Sequence, residues 1–179
     1  LDELNVIDKI YHEANNSNTV RLMVGFNRRY APHIVKMKEL LNSHRSPKSI
    51  IMTVNAGVIP SEHWVQNSLI GGGRIIGEGC HFIDLMRHLV GHKINGFTAT
   101  MMGSVPGIEV REDKASITLS FEDGSFGTIH YLANGGSVFP KERVEVFCDN
   151  AVLQMDNYLV LKGYGWSGFK KMKLFKQDK

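Results

Sequence analysis

Apolar residues in the first stretch of the chain recur at helical spacing. Leu4, Ile7 and Ile10–Tyr11 share one face over residues 2–14, and Asn15-Asn16-Ser17-Asn18 ends the run. Thr19 to Phe26 then strings β-branched and apolar residues together, the signature of a buried strand. From Pro32 to Leu41 the 3.6-residue period returns through Ile34, Val35, Met37, Leu40 and Leu41, with the proline acceptable in a first turn. Ser49 to Asn55 predicts a second strand. Ala56 to Ile70, holding Gly57, Pro60, His63 and Trp64, is a connection of the length that usually carries function. Ile75 to Val90 is helical and apolar on most sides, hence buried, with Gly91 placed to cap it.

Past Gly91 the period drops to two. Strands are expected at Asn95–Met102, Lys114–Phe121, Ser125–Leu132, Arg143–Cys148 and Ala151–Met155, with short edge strands at Tyr158–Lys162 and Lys171–Phe175. Asp123-Gly124 and Asp149-Asn150 are tight-turn signals between neighbours. The layout predicts an α+β fold: one open, largely antiparallel sheet with helices on one face. Ala115, Ile117 and Leu119 alternate with Ser116, Thr118 and Ser120, and Ile129 and Tyr131 with Phe126, Thr128 and His130. The open face is therefore semi-polar, which suits an interface between copies better than bare solvent. With neither repeats nor low-complexity tracts, residues 1–179 are expected to form one domain.

Composition narrows the function classes. A 42% hydrophobic and 22% charged chain is that of a globular protein. A net charge of +3 is too small and too scattered for a nucleic-acid binder, and the Lys170–Lys179 cluster is expected as a solvated terminus. No apolar run approaches the ~18 residues needed to cross a bilayer, and no signal-peptide pattern opens the chain. Cys80 and Cys148 lie far apart and fit no metal spacing, so both are expected as reduced thiols of a cytoplasmic protein. Leu1-Asp2-Glu3-Leu4 begins like the middle of a helix, so a fragment of a longer protein is expected.

Candidate chemistry concentrates in Gly71-Gly72-Gly73 and the following helix. A phosphate cradle is not expected there, because no strand leads in, the dinucleotide spacing is not met and no Lys-Ser/Thr pair follows. The glycines instead let the backbone pass close to a ligand or a neighbouring domain. Glu78, His81, Leu85 and His88 would share one helical face. A metal held by Glu78, His81 and His88 lacks a ligand on its fourth side, so no metal is expected. An imidazole flanked by Glu78 and Asp84 on a buried helix points to proton transfer, because burying such groups unpaired is costly. Arg28 and Arg29 close the Thr19–Phe26 strand, and Asn55 closes its neighbour. If those strands are parallel, both open onto one rim with His63 and Trp64.

Gly25-Phe26-Asn27-Arg28-Arg29-Tyr30, the triple glycine and Gly79-x-His81-x-x-Asp84 together resemble the C-terminal domain of the glucose–fructose oxidoreductase, inositol dehydrogenase and rhizopine catabolism family. Asn55-Ala56-Gly57, Ile59-Pro60, His63-Trp64 and Gly71 to Asp84 are most similar to its polysaccharide and nucleotide-sugar branch. The resemblance implies a dihydrodipicolinate-reductase-like sheet domain and an upstream Rossmann domain, outside this chain, that holds NAD or NADP. It implies hydride transfer from a sugar hydroxyl carbon, His81 beside the reacting hydroxyl, and dimers or tetramers formed through the sheet. Gly77 stands where the family often has Asp, so either Glu78 takes over the carboxylate role or that role is lost. His81 and Glu78 are the expected catalytic pair, with Glu78 or Asp84 fixing the tautomer. Arg28, Asn55, Trp64, Asp84 and Lys141 are expected to hold the sugar, with Trp64 either a stacking face or a core residue. A non-catalytic sensing or assembly module of the same fold is the alternative.

Overall fold

Eight strands share one sheet, and the strand that comes first in sequence lies in its middle. The computed structural model describes residues 2–14, 21–67, 69–107 and 112–174. Its elements are α1 (Asp2–Ala14), α2 (Pro32–Leu41), β1 (Ser49–Asn55), α3 (Cys80–Val90), β2 (Ile94–Met101), β3 (Lys114–Phe121), β4 (Phe126–Leu132), β5 (Glu142–Cys148), β6 (Ala151–Asp156), β7 (Val160–Tyr164) and β8 (Lys171–Lys173). The strand order is β2-β3-β4-β1-β5-β6-β7-β8. Every neighbouring pair is antiparallel except β1 and β4, which run parallel with Val54 opposite Tyr131. The expected fold class, an open and mostly antiparallel sheet carrying helices, is the one observed.

Strict alternation sorts the sheet into two faces. Ile50, Met52 and Val54 of β1 align with Gly127, Ile129 and Tyr131 of β4 and with Val146, Val144 and Glu142 of β5. That face is buried against Ile34, Met37 and Leu41 of α2 and Phe82, Leu85, Met86 and Leu89 of α3, each set at helical spacing. A β-carbon on Gly127 would lie 2.6 Å from the Met86 sulfur, so the gap in the β4 pattern is what lets α3 approach the sheet. The other face pairs small polar groups across strands: Ser116 with His130 (2.9 Å) and Thr118 with Thr128 (2.9 Å). Ile51, Phe126 and Phe147 stand exposed on it.

Local backbone chemistry sets the ends. Pro32 opens α2 behind an extended Ala31, and Gly91 closes α3 at φ 87°, donating its amide to the Arg87 carbonyl. Asp149 and Asn150 both adopt left-handed angles (φ 47° and 60°), the mirror-image turn that a right-twisted hairpin favours. His33 is fully buried, and among the described residues neither ring nitrogen has a partner in hydrogen-bond geometry, although the nearby Leu159 backbone favours its charged form. Burial dominates and pushes the imidazole below its usual range, so His33 packs as a neutral ring.

Four expectations need correction. Residues 21–26 are not a strand; Leu22, Met23 and Val24 are 58%, 88% and 61% exposed, and the Phe26 amide turns back to the Val24 carbonyl. Apolar β-branched sequence makes a strand only where a ladder partner stands beside it, and none of the eight strands does. Thr19, Val20 and the Asn15–Asn18 terminator lie outside the described residues. The Ile75–Val90 helix begins as one π turn, Ile75–Gly79, before becoming α-helical at Cys80. Tyr158 is not in a strand: with Asn157 it takes positive φ in the β6–β7 turn, so β7 starts at Val160. The last strand ends at Lys173, and Phe175 lies outside the described residues.

Candidate active site

At the carboxyl ends of parallel β1 and β4, the loop after Asn55, the glycine-led π turn and the 133–141 connection converge. Arg74 organises this end. Only 3% exposed, it donates to the carbonyls of Gly57 (2.6 Å) and Ala56 (3.0 Å), stands 3.6 Å from Glu78, and lies over the Tyr131 ring. Tyr131 donates its hydroxyl to Glu78 Oε2 at 2.5 Å; burial first, and then that carboxylate, drive its phenol far above the usual range. Glu78 is thus held between a guanidinium and a phenol.

The triple glycine serves packing within this chain. A β-carbon at Gly71 would sit 2.5 Å from the Val65 α-carbon and 2.8 Å from the Trp64 carbonyl, while Gly72 and Gly73 take φ 70° and 84°. The close approach expected toward a ligand or second domain is made to the Trp64–Gln66 turn instead. With Gly71 filled by that turn, the triple glycine forms no dinucleotide cradle; the Gly-x-Gly-x-x-Gly spacing at Gly163, Gly165 and Gly168 leads from β7 into β8 rather than into a helix.

His81 sits in the first turn of α3, edge-on to Phe26 at 5.6 Å between ring centres. Its Nδ1 is buried without a hydrogen-bond partner among the described residues. Neither carboxylate expected to fix its tautomer reaches it. Glu78 faces Tyr131 and Arg74, and Asp84 accepts a two-pronged bond from Arg29 through Nε (3.0 Å) and Nη2. The hydrogen bond to Asp84, helped by its charge, raises the already high Arg29 pKa. His88, at the far end of the helix, is pushed below its usual range by burial, then by Arg29 and Lys38. The face shared by Glu78, Leu85 and His88 is not realised as one site, because the π turn shifts Glu78 and Leu85 is wholly buried.

The remaining candidates divide. Arg28 forks onto Glu142 at 3.0 and 2.8 Å, with Tyr158 donating to the same carboxylate at 2.8 Å and Phe82 beneath the guanidinium. Burial opposes the Arg28 charge, but Glu142 more than offsets it and the group stays charged. Burial, then Glu142, push the Tyr158 phenol far upward. Arg28 is therefore engaged inside the protein, its stem lining a shallow cleft with Asn27, Tyr30 and Glu142. Asn55 spends both amide hydrogens on the Gly136 (2.8 Å) and Phe139 (3.2 Å) carbonyls, and its buried Oδ1 has no partner among the described residues. Trp64 is 61% exposed, so it is no core residue. Lys141 joins through its backbone, accepting the Asn55 amide, while its side chain is exposed.

Sequence reasoning missed Arg74, Tyr131, Glu142 and Tyr158. Tyr131 was legible as an inward-facing position of its strand; Glu142 stands one residue before the expected Arg143–Cys148 strand and opens β5, and that an arginine inside a glycine loop would be buried left no local mark.

Residues 35–154 match the model of the GFO/IDH/MocA C-terminal domain. The chain belongs to that family. A relative from Bacillus subtilis (strain 168), the uncharacterized oxidoreductase YrbE, is 30% identical over 143 residues, covering 77% of this chain and 41% of its own length. The chain thus spans less than half of that relative. Among solved structures, an oxidoreductase from Thermotoga maritima superposes with a TM-score of 0.77 at 19% identity, over 99% of this chain and 55% of its own. Levoglucosan dehydrogenase, in complex with NADH and levoglucosan, gives 0.72 at 18% identity, over 93% and 50%. At such identities these likenesses establish the fold. Among the described residues no helix is long and apolar enough to cross a membrane.

Proposed function

We propose that this chain is the substrate-binding domain of a nicotinamide-dependent oxidoreductase that acts on a sugar or nucleotide-sugar hydroxyl, with its Rossmann domain upstream. The observation that carries this reading is the unpartnered, buried Nδ1 of His81 at the start of α3. Unpaired polar nitrogens are uncommon in cores, and one at the mouth of a sheet is best explained by a partner that arrives with substrate. Nearby carboxylates are already committed, so His81 is the group left to receive the hydroxyl proton as the C–H hydride leaves. NAD or NADP, bound by the other domain, supplies the hydride acceptor. Exposed Leu22, Met23 and Val24 support a covering domain at that edge, and exposed Trp64 offers a ring face for the sugar. Arg74 and Tyr131 hold Glu78 and the 56–57 backbone in place around it. Two free cysteines support a reducing, cytoplasmic setting.

The test is a screen of the full-length protein with NAD and NADP against aldoses, cyclitols and nucleotide sugars, read as nicotinamide reduction. Turnover of at least one of them is expected, with none from residues 1–179 alone. Complete inactivity across the panel would favour the sensing or assembly module, a reading that draws on the full commitment of Glu78 and Asp84 to structural partners.

The same reading extends to assembly. Exposed Ile51, Phe126 and Phe147, set among Ser, Thr and a paired His130, support a homodimer through the open sheet face, burying more than ~1,000 Å². Light scattering should return twice the protomer mass; a monomer at tens of micromolar rules this interface out.

A further inference from the structure

Across the molecule from His81, three donors of different chemistry meet between the loop after α2 and the β5–β6 turn. His44 Nδ1 lies 2.8 Å from Asp149 Oδ2, and Cys148 Sγ lies 3.8 Å from that oxygen and 3.9 Å from the Ser46 carbonyl. The three side-chain donors all fall within 4.8 Å of one another. We propose that His44, Cys148 and Asp149 form a binding site for a divalent, thiophilic metal of the zinc class, with the Ser46 carbonyl on its fourth side.

Geometry and chemistry agree on this. Zinc bonds of ~2.0–2.3 Å place tetrahedral donors roughly 3.3–3.8 Å apart, so the observed spacings need only small side-chain rotations. One soft sulfur, one imidazole and one carboxylate suit zinc rather than calcium or magnesium, which prefer oxygen alone. Bound as thiolate and carboxylate, the site carries two negative charges. Lys48, which donates to the Ser46 carbonyl at 3.2 Å, offsets one of them, so a dication is still welcome. The thiol proton leaves to solvent as the metal binds.

The setting is built for fixed ligands. Asp149 is held at φ 47° by the turn, which aims its side chain back beside Cys148 at the end of β5. The His44 ring packs edge-on to Trp166 at 4.7 Å, and that indole is fixed by its bond to the Val152 carbonyl (3.0 Å). Cys148 is buried, while His44 and Asp149 are part-exposed and give the ion its way in. A metal here clasps the α2–β1 loop to the β5–β6 hairpin, a structural site remote in sequence from the redox end.

Metal-free full-length protein is titrated with Co²⁺. One equivalent is expected to give a thiolate-to-cobalt charge-transfer band and to quench Trp166 emission, and Zn²⁺ should displace it. Cys148→Ser should abolish the band, and Asp149→Asn and His44→Gln should each weaken Zn²⁺ by more than about tenfold. Asparagine tolerates the left-handed turn, so Asp149→Asn reads ligation rather than folding. Should Cys148→Ser fail to fold, the two surface variants decide. Absence of the band in the wild type, or unchanged Zn²⁺ affinity in both surface variants, overturns the site.

Discussion

Turnover of the full-length protein is expected to fall by about 10²-fold or more on His81→Ala, the usual contribution of a positioned general acid–base group. The melting temperature should hardly move. His81 makes an edge contact with Phe26, and its buried Nδ1 has no bond to lose among the described residues. A structural histidine would behave in the opposite way, costing stability before rate. His81→Gln, which keeps some hydrogen-bonding capacity but cannot take up the hydroxyl proton, should lower turnover by a similar factor. Near-wild-type turnover in the alanine variant would return His81 to a packing role and remove the centre of the proposed mechanism.

The second large effect concerns stability. Glu142→Ala should cost about 3–5 kcal/mol, the range found when one partner of a buried ion pair is removed. Glu142 accepts both prongs of Arg28 and the Tyr158 hydroxyl, and the pair's side chains are only 18% and 9% exposed. Its loss strands a guanidinium over the Phe82 ring without its hydrogen-bonded counter-charge. The triple change Arg28→Met, Glu142→Leu, Tyr158→Phe should lose less than Glu142→Ala alone, because no polar group is left behind. Urea denaturation of the variants measures both. A loss under about 1 kcal/mol from Glu142→Ala would mean that the pair behaves as a surface contact.

Much of the architecture was legible in one dimension. α1, α2, β1 and β3 match their expected bounds because helical spacing, a first-turn proline and strict alternation are local signals. Gly91, Asp123-Gly124 and Asp149-Asn150 marked their ends through backbone chemistry that no neighbour can override. Where a partner decides, the sequence misled. The apolar 22–24 segment has the residues of a strand and no ladder to join. The π turn at Ile75–Gly79 rotates Glu78 away from the face that straight helical counting assigned to it.

By itself, the sequence determined an open sheet with helices on one face, the parity of each strand, the family motifs and His81 as the group to watch, because periodicity and residue type follow from the chain alone. Only the tertiary structure decided that β1 enters the sheet between β4 and β5, since strand order is set by long-range pairing that leaves no local mark. It also decided the partners of the charged groups around the site. Arg28 took Glu142, Arg29 took Asp84 and Glu78 took Tyr131, because a charge under the sheet must find a counterpart within about 3–4 Å, whatever its distance in sequence. With those pairs satisfied, Glu78 is engaged, and the His81 Nδ1 is left without a partner among the described residues.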